Sequence, residues 1–115
     1  MATVNPKEKL VLSEEKGKGQ IVVDYAVLKK AVLALRAMNH PLRKKILELL
    51  ETNKNLTVTE IYVKLRLEQS VASQHLAILR REAIVSTKRE GKFIYYNLNK
   101  KRISEINQMV NDLAV

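Results

Sequence analysis

The sequence contains no cysteine and no tryptophan, and it has only three glycines and one phenylalanine. The absence of cysteine excludes disulfides, thiolate metal sites and thiol redox sensing. Because aromatic side chains are scarce, the core must be aliphatic, which favours stacked helices over a β-sandwich. No apolar run approaches the length of a membrane span, and the N-terminus lacks the apolar core of a signal peptide. We therefore expect a cytoplasmic protein with no membrane association.

Catalytic and metal-binding patterns are also missing from the sequence. There is no nucleophile–base constellation, no cluster of carboxylates in an apolar setting and no glycine loop that could cradle phosphate. The only two histidines, His40 and His75, do not have metal-ligand spacing. We therefore predict no enzymatic activity, no metal site and no cofactor.

Positive charge is in clear excess. The 115 residues include 21 lysines and arginines against 12 aspartates and glutamates, a formal net charge of +9. Residues 36–54 have five basic and two acidic side chains, and residues 66–92 have six and three, so each segment nets +3. Solubility alone can explain an excess of lysine, but charge concentrated in the middle of the chain favours a polyanionic partner such as nucleic acid.

The length predicts one domain with a tail. Residues 1–20 mix charged residues, glycine and asparagine around a short apolar patch, and we predict a flexible tail, or one that orders only against a partner. The folded domain is then expected over residues 21–115. Its first helix should begin at Asp24, a good N-cap, and end before Pro41, which suits the first turn of a second helix.

The centre of the chain has the pattern of a helix-turn-helix. Thr57 and Glu60 have the spacing of a capping box at the start of a short helix. A tight turn then leads to a longer helix over residues 69–82. Residues 84–98 alternate like two strands around Gly91, which tolerates positive φ, and an apolar stripe over residues 103–113 predicts a last helix. The predicted fold is mostly α with a small β-hairpin (α+β): a winged helix-turn-helix with about five helices and a two-stranded antiparallel wing.

The helix over residues 69–82 has two contrasting faces at 100° per residue. One face is apolar and is predicted to be buried: Ala72, Leu76, Leu79 and Ala83. The other is predicted to face outwards: Ser70, Gln74, Ala77 and Arg81. Glutamine pairs bidentately with adenine, and serine can donate to or accept from any base. The alternative is a plain solvated face, which is less convincing here because the helix follows a capped helix and precedes a basic hairpin.

We predict that this helix and the wing bind DNA, with further phosphate contacts from the second helix. The predicted DNA-binding residues are Gln69, Ser70, Ser73, Gln74, His75, Arg81, Lys88, Arg89, Lys92, Arg43 and Lys44. His75 has an alternative role as a packing or capping group, and His40 is expected to cap or pack at the start of the second helix. The wing cations have an alternative role as an ordinary charged hairpin end, and the two tyrosines of the second strand are expected to pack on the sheet.

These residues resemble the ArsR family of bacterial winged-helix repressors over roughly residues 24–113. The resemblance is carried by the segment from Met38 to Leu50, by Leu56 to Ile61, by Gln69 to Leu79 and by Lys88 to Tyr96. It implies a homodimer that pairs through the first and last helices and places two reading helices in successive major grooves of a palindromic operator. The implied dimerisation residues are Val27, Leu28, Val32, Leu35, Ile103, Ile106, Val110 and Leu113.

The sequence departs from this family at several functional positions. Thr57 and Thr59 stand where arsenite-sensing members have cysteines, and the last helix lacks the histidine of zinc-type sensors. Arg66 and Ala83 replace glycines that commonly flank the reading helix, and Glu68 replaces its usual serine or threonine cap. A non-glycine residue in a turn that needs positive φ costs on the order of 1 kcal/mol.

The sequence therefore predicts a transcription regulator that binds double-stranded DNA in a sequence-specific way, with repression of a promoter as its expected action. The alternative is a winged-helix protein–protein interaction module whose basic face docks an acidic partner.

Overall fold

The computed structural model describes residues 8–14 and 19–114. The chain divides into two compact units between Ala34 and Leu35, inside the first helix. The expected boundary after residue 20, between a tail and a folded domain, stays a prediction. In chain order, the elements are β1 (Lys9–Ser13), β2 (Gln20–Asp24), α1 (Tyr25–Met38), α2 (Pro41–Asn53), β3 (Leu56–Thr57), α3 (Val58–Leu65), α4 (Gln69–Arg81), β4 (Val85–Glu90), β5 (Phe93–Leu98) and α5 (Lys100–Ala114).

The first unit contains an antiparallel hairpin that we did not predict. Strands β1 and β2 pair with Leu10 opposite Val23 and Leu12 opposite Ile21. Because successive side chains of a strand point to opposite faces, these four apolar residues share one face. Part of the expected tail therefore forms a strand, while residues 1–7 and 15–18 lie outside the described residues. The flexibility of this segment stays a prediction.

The starts of the first two helices agree with the sequence. The Asp24 carboxylate accepts a hydrogen bond from the Ala26 amide at 3.0 Å. The His40 side chain is the N-cap of α2, where its Nδ1 accepts from the Leu42 amide at 3.1 Å, with Pro41 in the first turn. The predicted capping role of His40 is therefore confirmed.

The predicted capping box of α3 is present in full. The Glu60 amide donates to the Thr57 hydroxyl at 3.2 Å, and the Thr57 amide donates to the Glu60 carboxylate at 3.1 Å. The turn that follows α3 has Arg66 in the left-handed region (φ 55°, ψ 44°), and the Leu67 amide donates back to the Tyr62 carbonyl at 2.9 Å. The turn therefore keeps a glycine-type backbone although its residue is arginine.

The predicted wing is the hairpin of β4 and β5. It runs in register from Val85 opposite Leu98 to Glu90 opposite Phe93, and Gly91 at its tip has a φ of 62°. The two-residue strand β3 adds to the other edge of β5, which makes a three-stranded sheet with the order β3-β5-β4. This third strand was not predicted, because two residues are too few to show strand alternation.

The core of the second unit is aliphatic, as predicted. Its largest fully buried side chains are Ile46, Leu50, Ile61, Leu76, Leu79, Ile84 and Val85. Ala72 is also buried, but Ala83 is exposed, so the prediction that Ala83 faces the core is wrong. The reason is that α4 ends at Arg81 and Ala83 then takes a left-handed conformation with φ 60°, which leaves the helical stripe.

Candidate nucleic-acid interface

Helix α4 presents a polar face that is open to solvent. Its inner side is held by the buried Ala72, Leu76 and Leu79. Five of the residues predicted to bind DNA are exposed on its outer side: Gln69, Ser70, Ser73, Gln74 and Arg81. The structure therefore leaves a face of small hydroxyl and amide side chains, with an arginine towards its C-terminal end, available for contact.

The start of α4 is only weakly capped. Glu68 is the N-cap residue, but its side chain makes no capping hydrogen bond. The Glu68 carbonyl accepts from the Ala72 amide at 3.1 Å, which is the first backbone bond of the helix. The amides of the first helical turn, including those of Gln69 and Ser70, have no intrahelical acceptor and carry the partial positive charge of the helix dipole.

His75 lies at the flank of this face and is half-buried. Its Nδ1 is 3.2 Å from an Nη atom of Arg43, and its ring lies 4.7 Å from the ring of His40, centroid to centroid. Burial in the first place, and then the nearby charges of His40 and Arg43, lower the pKa of His75. The imidazole is therefore held in its neutral form at neutral pH, as an acceptor at Nδ1.

Arg43 does not lie where the sequence led us to expect it. Its side chain is only 8% exposed, and it donates to the carbonyls of Ala37 at 2.8 Å and Arg36 at 2.9 Å. The guanidinium is therefore committed to internal hydrogen bonds, and Arg43 is removed from the predicted phosphate contacts. The prediction went wrong because helical periodicity puts Arg43 beside the buried stripe of α2 and does not show what its long side chain can reach.

Lys44, the next residue of α2, is exposed as the prediction requires. It forms an ion pair with Glu48 at 4.0 Å, in which the two side chains are 75% and 65% exposed. An ion pair this open to water contributes little stability. Lys44 can therefore exchange Glu48 for a phosphate at small cost.

The cations of the wing are exposed around the tip of the hairpin. Lys88 pairs with Glu90 at 3.4 Å, and Nε of Arg89 donates to the Gly91 carbonyl at 3.1 Å. The ammonium of Lys92 lies 5.4 Å from the centre of the Phe93 ring, within the range of a cation–π contact. All these contacts are local and exposed, so the three cations stay available to an anionic partner.

An open groove of about 480 Å³ lies between α4 and the sheet that carries the wing. It is lined by Val58, Ser73, Ala77, Arg80, Arg81 and Tyr96. Arg80 is exposed and was not predicted as a site residue. The available signal was its position directly before Arg81. On the helical wheel, however, Arg80 does not share the face of Ser70 and Gln74, and the wheel does not show that Arg80 lies close to the wing.

The residues implied in dimerisation differ in exposure. On α1, Val27 is 59% and Leu28 47% exposed, while Val32 and Leu35 are half-buried. On α5, Leu113 is 73% and Val110 39% exposed, and Ile103 is half-buried. Ile106 is only 4% exposed and already belongs to the core of the single chain, so it is removed from the predicted contact surface.

Two further features bear on the class of protein. Among residues 8–14 and 19–114, no helix combines the length and the apolar character that crossing a bilayer requires. In the same described part of the chain, histidine, aspartate and glutamate side chains do not gather in groups of three or more that could hold a metal ion.

Comparison with known proteins places this architecture in a family. The family profile described as "Bacterial regulatory protein, arsR family" matches residues 40–87, which include α3, α4 and the start of the wing. The transcriptional repressor PagR of Bacillus anthracis is 35% identical over 91 residues, which cover 79% of this chain and 91% of PagR. The transcriptional activator HlyU of Vibrio cholerae is 38% identical over 84 residues, covering 73% of this chain and 77% of HlyU.

The fold agrees with these sequence matches. The crystal structure of PagR superposes with a TM-score of 0.60 at 37% sequence identity, over 74% of this chain and 98% of the PagR chain. The similarity thus extends over nearly the whole of that relative. The chain belongs to the ArsR family of bacterial regulatory proteins.

Proposed function

We propose that this transcription regulator binds duplex DNA as a homodimer and reads a palindromic operator with helix α4. The observation that carries the proposal is the exposed face of Ser70, Ser73 and Gln74 beside the cations of α4 and the wing. An α-helix fits the major groove, where each base pair presents its own pattern of donors and acceptors. A glutamine on this face can bond an adenine at two points, and the serines can donate or accept.

The surrounding cations would hold the helix in the groove without reading sequence. Phosphate contacts fix the register and orientation of a protein on the duplex. The proposed contacts are Lys44, Arg80, Arg81, Lys88, Arg89 and Lys92. The ion pairs of Lys44 and Lys88 in the free protein are exposed and weak. Arg81 is itself exposed, but it pairs at 3.7 Å with Glu82, whose side chain is only 12% exposed. Release of counterions from DNA adds free energy of binding at low salt.

The proposed homodimer uses exposed and half-buried apolar side chains of the first and last helices. The contributing residues are Val27, Leu28, Val32, Leu35, Ile103, Val110 and Leu113. A dimer with two-fold symmetry would present two copies of α4, about one helical turn of DNA or roughly 34 Å apart. Such an arrangement requires an operator whose two half-sites are inverted repeats.

Repression by blocking a promoter is the proposed action of the bound dimer. A repressor and an activator both occur among the relatives, so similarity by itself supports regulation and not its sign. Repression needs only occupancy of the promoter, whereas activation needs a further contact with the transcription machinery. A promoter fused to a reporter gene would distinguish the two, and repression predicts lower expression when the protein is present.

The experiment that tests the proposal is selection of bound sites from random duplex DNA, followed by sedimentation of the complex. The expected result is an inverted repeat bound by two chains. Gln74→Ala should weaken the preference for the selected site at one position of each half-site, and Gln108→Ala on α5 serves as the matched control. Salt-sensitive binding to an acidic protein without preference among duplexes would contradict the proposal.

A further inference from the structure

Arg43 connects three parts of the second unit through one side chain. Its guanidinium donates to the carbonyls of Ala37 and Arg36, in the last turn of α1, and reaches His75 on α4 at 3.2 Å. Arginine has five N–H donors in a rigid plane and no acceptor. The Nδ1 of His75 must therefore be the acceptor in this contact, with the ring proton on Nε2.

We propose that Arg43 is a positioning residue that sets the rotation of α4 in the DNA groove through His75. The inference rests on the proposed function, because it assumes that α4 reads bases. His75 directly follows Gln74 and lies at the edge of the reading face. A hydrogen bond to its ring therefore restricts rotation of the helix close to the residue that would contact a base.

The geometry of Arg43 suits this task better than that of a lysine. The planar fork places Nε and one Nη against two backbone carbonyls while the other Nη faces His75. A lysine has three donors on a single atom and cannot span the same three acceptors. Arg43 as a whole is only 8% exposed, so few water molecules compete for these bonds.

Protonation of His75 would break the hydrogen bond between Arg43 and His75. Within the described part of the chain, two ionisable side chains face the imidazole: Arg43 from α2, and His40 from the turn between α1 and α2. A protonated Nδ1 has no lone pair to accept the bond from Arg43, and it places a second positive charge beside the guanidinium. Burial and these two neighbours lower the pKa of His75, so the connection is intact at neutral pH and is lost on acidification.

The test measures the specificity ratio, defined as the affinity for the selected duplex divided by the affinity for a scrambled duplex. Fluorescence anisotropy would be recorded for the full chain and for the single variants Arg43→Gln, Arg43→Lys, His75→Asn and His75→Phe. The double variant Arg43→Gln/His75→Phe completes a double-mutant cycle with two of these single variants. Circular dichroism melts would check that each variant folds. Asparagine keeps an acceptor near the position of Nδ1 but does not titrate.

Arg43→Gln is expected to lower the ratio by about three- to tenfold, which lies within the range of couplings found between residues in contact. Arg43→Lys should not rescue it. His75→Phe and Arg43→Gln should be less than additive in the double variant, because each removes the same bond. A purely structural arginine would lower the melting temperature but leave the ratio unchanged, and additive effects would also overturn the proposal.

The pH profile gives a readout that does not require any Arg43 variant to fold. Because burial and the two neighbours lower the pKa of His75, its titration lies towards the acidic end of the histidine range. As the pH is lowered from about 7.5 to about 5, the ratio of the native chain should fall while that of His75→Asn stays constant. Parallel profiles would overturn the proposal. If the native chain prefers no duplex at all, the proposed function itself fails; if it has a preference that none of these changes affects, only the positioning role fails.

Discussion

The reading helix and the wing tip are both exposed, but they are held in very different ways. Helix α4 is anchored from behind by Leu76 and Leu79, which are 1% and 0% exposed. The tip of the wing is held by its own strand pairing and by local contacts such as the ion pair of Lys88 and Glu90. The first arrangement fixes the position of side chains, and the second leaves them able to adapt.

This difference suits two separate tasks on DNA. Hydrogen bonds to base edges depend on placement and direction, so the residues that make them need a rigid support. Attraction to phosphates is less directional and tolerates mobile lysines. We therefore expect α4 to supply specificity and the wing to supply affinity, and four substitutions can break or sharpen this contrast.

The largest expected effect comes from removing the anchor of α4. Leu76→Ala should lower the free energy of unfolding by about 2–5 kcal/mol, because it leaves a cavity in a closely packed core. Ile94→Ala on the wing is the matched control, since Ile94 is 45% exposed and its loss should cost less than about 1 kcal/mol. Urea unfolding measures both, and equal losses would remove the distinction between the two regions.

The next effect concerns specificity. Gln74→Ala should cost about 1–3 kcal/mol of binding to the selected site and relax the choice of base at one position of each half-site. Affinity for a scrambled duplex should hardly change, because the substitution removes no charge. Anisotropy titrations on both duplexes measure the difference, and Gln108→Ala should leave both unchanged. An equal loss on the two duplexes would show that Gln74 does not read a base.

The wing should give the opposite result. Lys92→Ala is expected to weaken binding to all duplexes alike and to reduce the slope of log affinity against log salt by about one unit, because one phosphate contact is lost. Titrations between about 50 and 200 mM salt measure this slope. Lys101→Ala on α5 removes the same charge from an exposed position outside the interface, so an identical change in slope for Lys101→Ala would argue against a wing contact.

The contrast between predicted and missed features has a physical origin. The capping box of Thr57 and Glu60 and the stripe of α4 were readable because they depend on contacts three or four residues apart. The buried position of the Arg43 side chain could not be predicted, because this long flexible side chain contacts residues that are far apart in the sequence, Arg36 and His75. Local pattern therefore located the candidate interface, but it did not show which cation would turn inwards.

The two hairpins show the same limit. The wing has a glycine at its reversal and alternating strands, which made it predictable. Strands β1 and β2 are built from continuous apolar runs, Leu10–Leu12 and Ile21–Val23, separated by a charged segment without a two-residue turn signal. Such runs do not show which residues face which side, so the pairing of Leu12 with Ile21 could be found only from the structure.

The smallest expected effect tests the backbone at the end of the reading helix. Ala83 is exposed and has a φ of 60°, a conformation that costs a residue with a Cβ about 1–2 kcal/mol. Ala83→Gly removes this cost but makes the unfolded chain more flexible, which opposes the gain by roughly 0.4–1 kcal/mol. The net expectation is a stabilisation of about 0.5 kcal/mol.

Ala77→Gly is the control for this last substitution, because Ala77 is also exposed but lies inside α4. It should destabilise the protein by about 1 kcal/mol through loss of helix propensity. Urea unfolding should therefore show opposite changes in the free energy of unfolding for the two variants, although both replace alanine with glycine. A loss of stability in both would mean that the left-handed turn after α4 gains nothing from glycine.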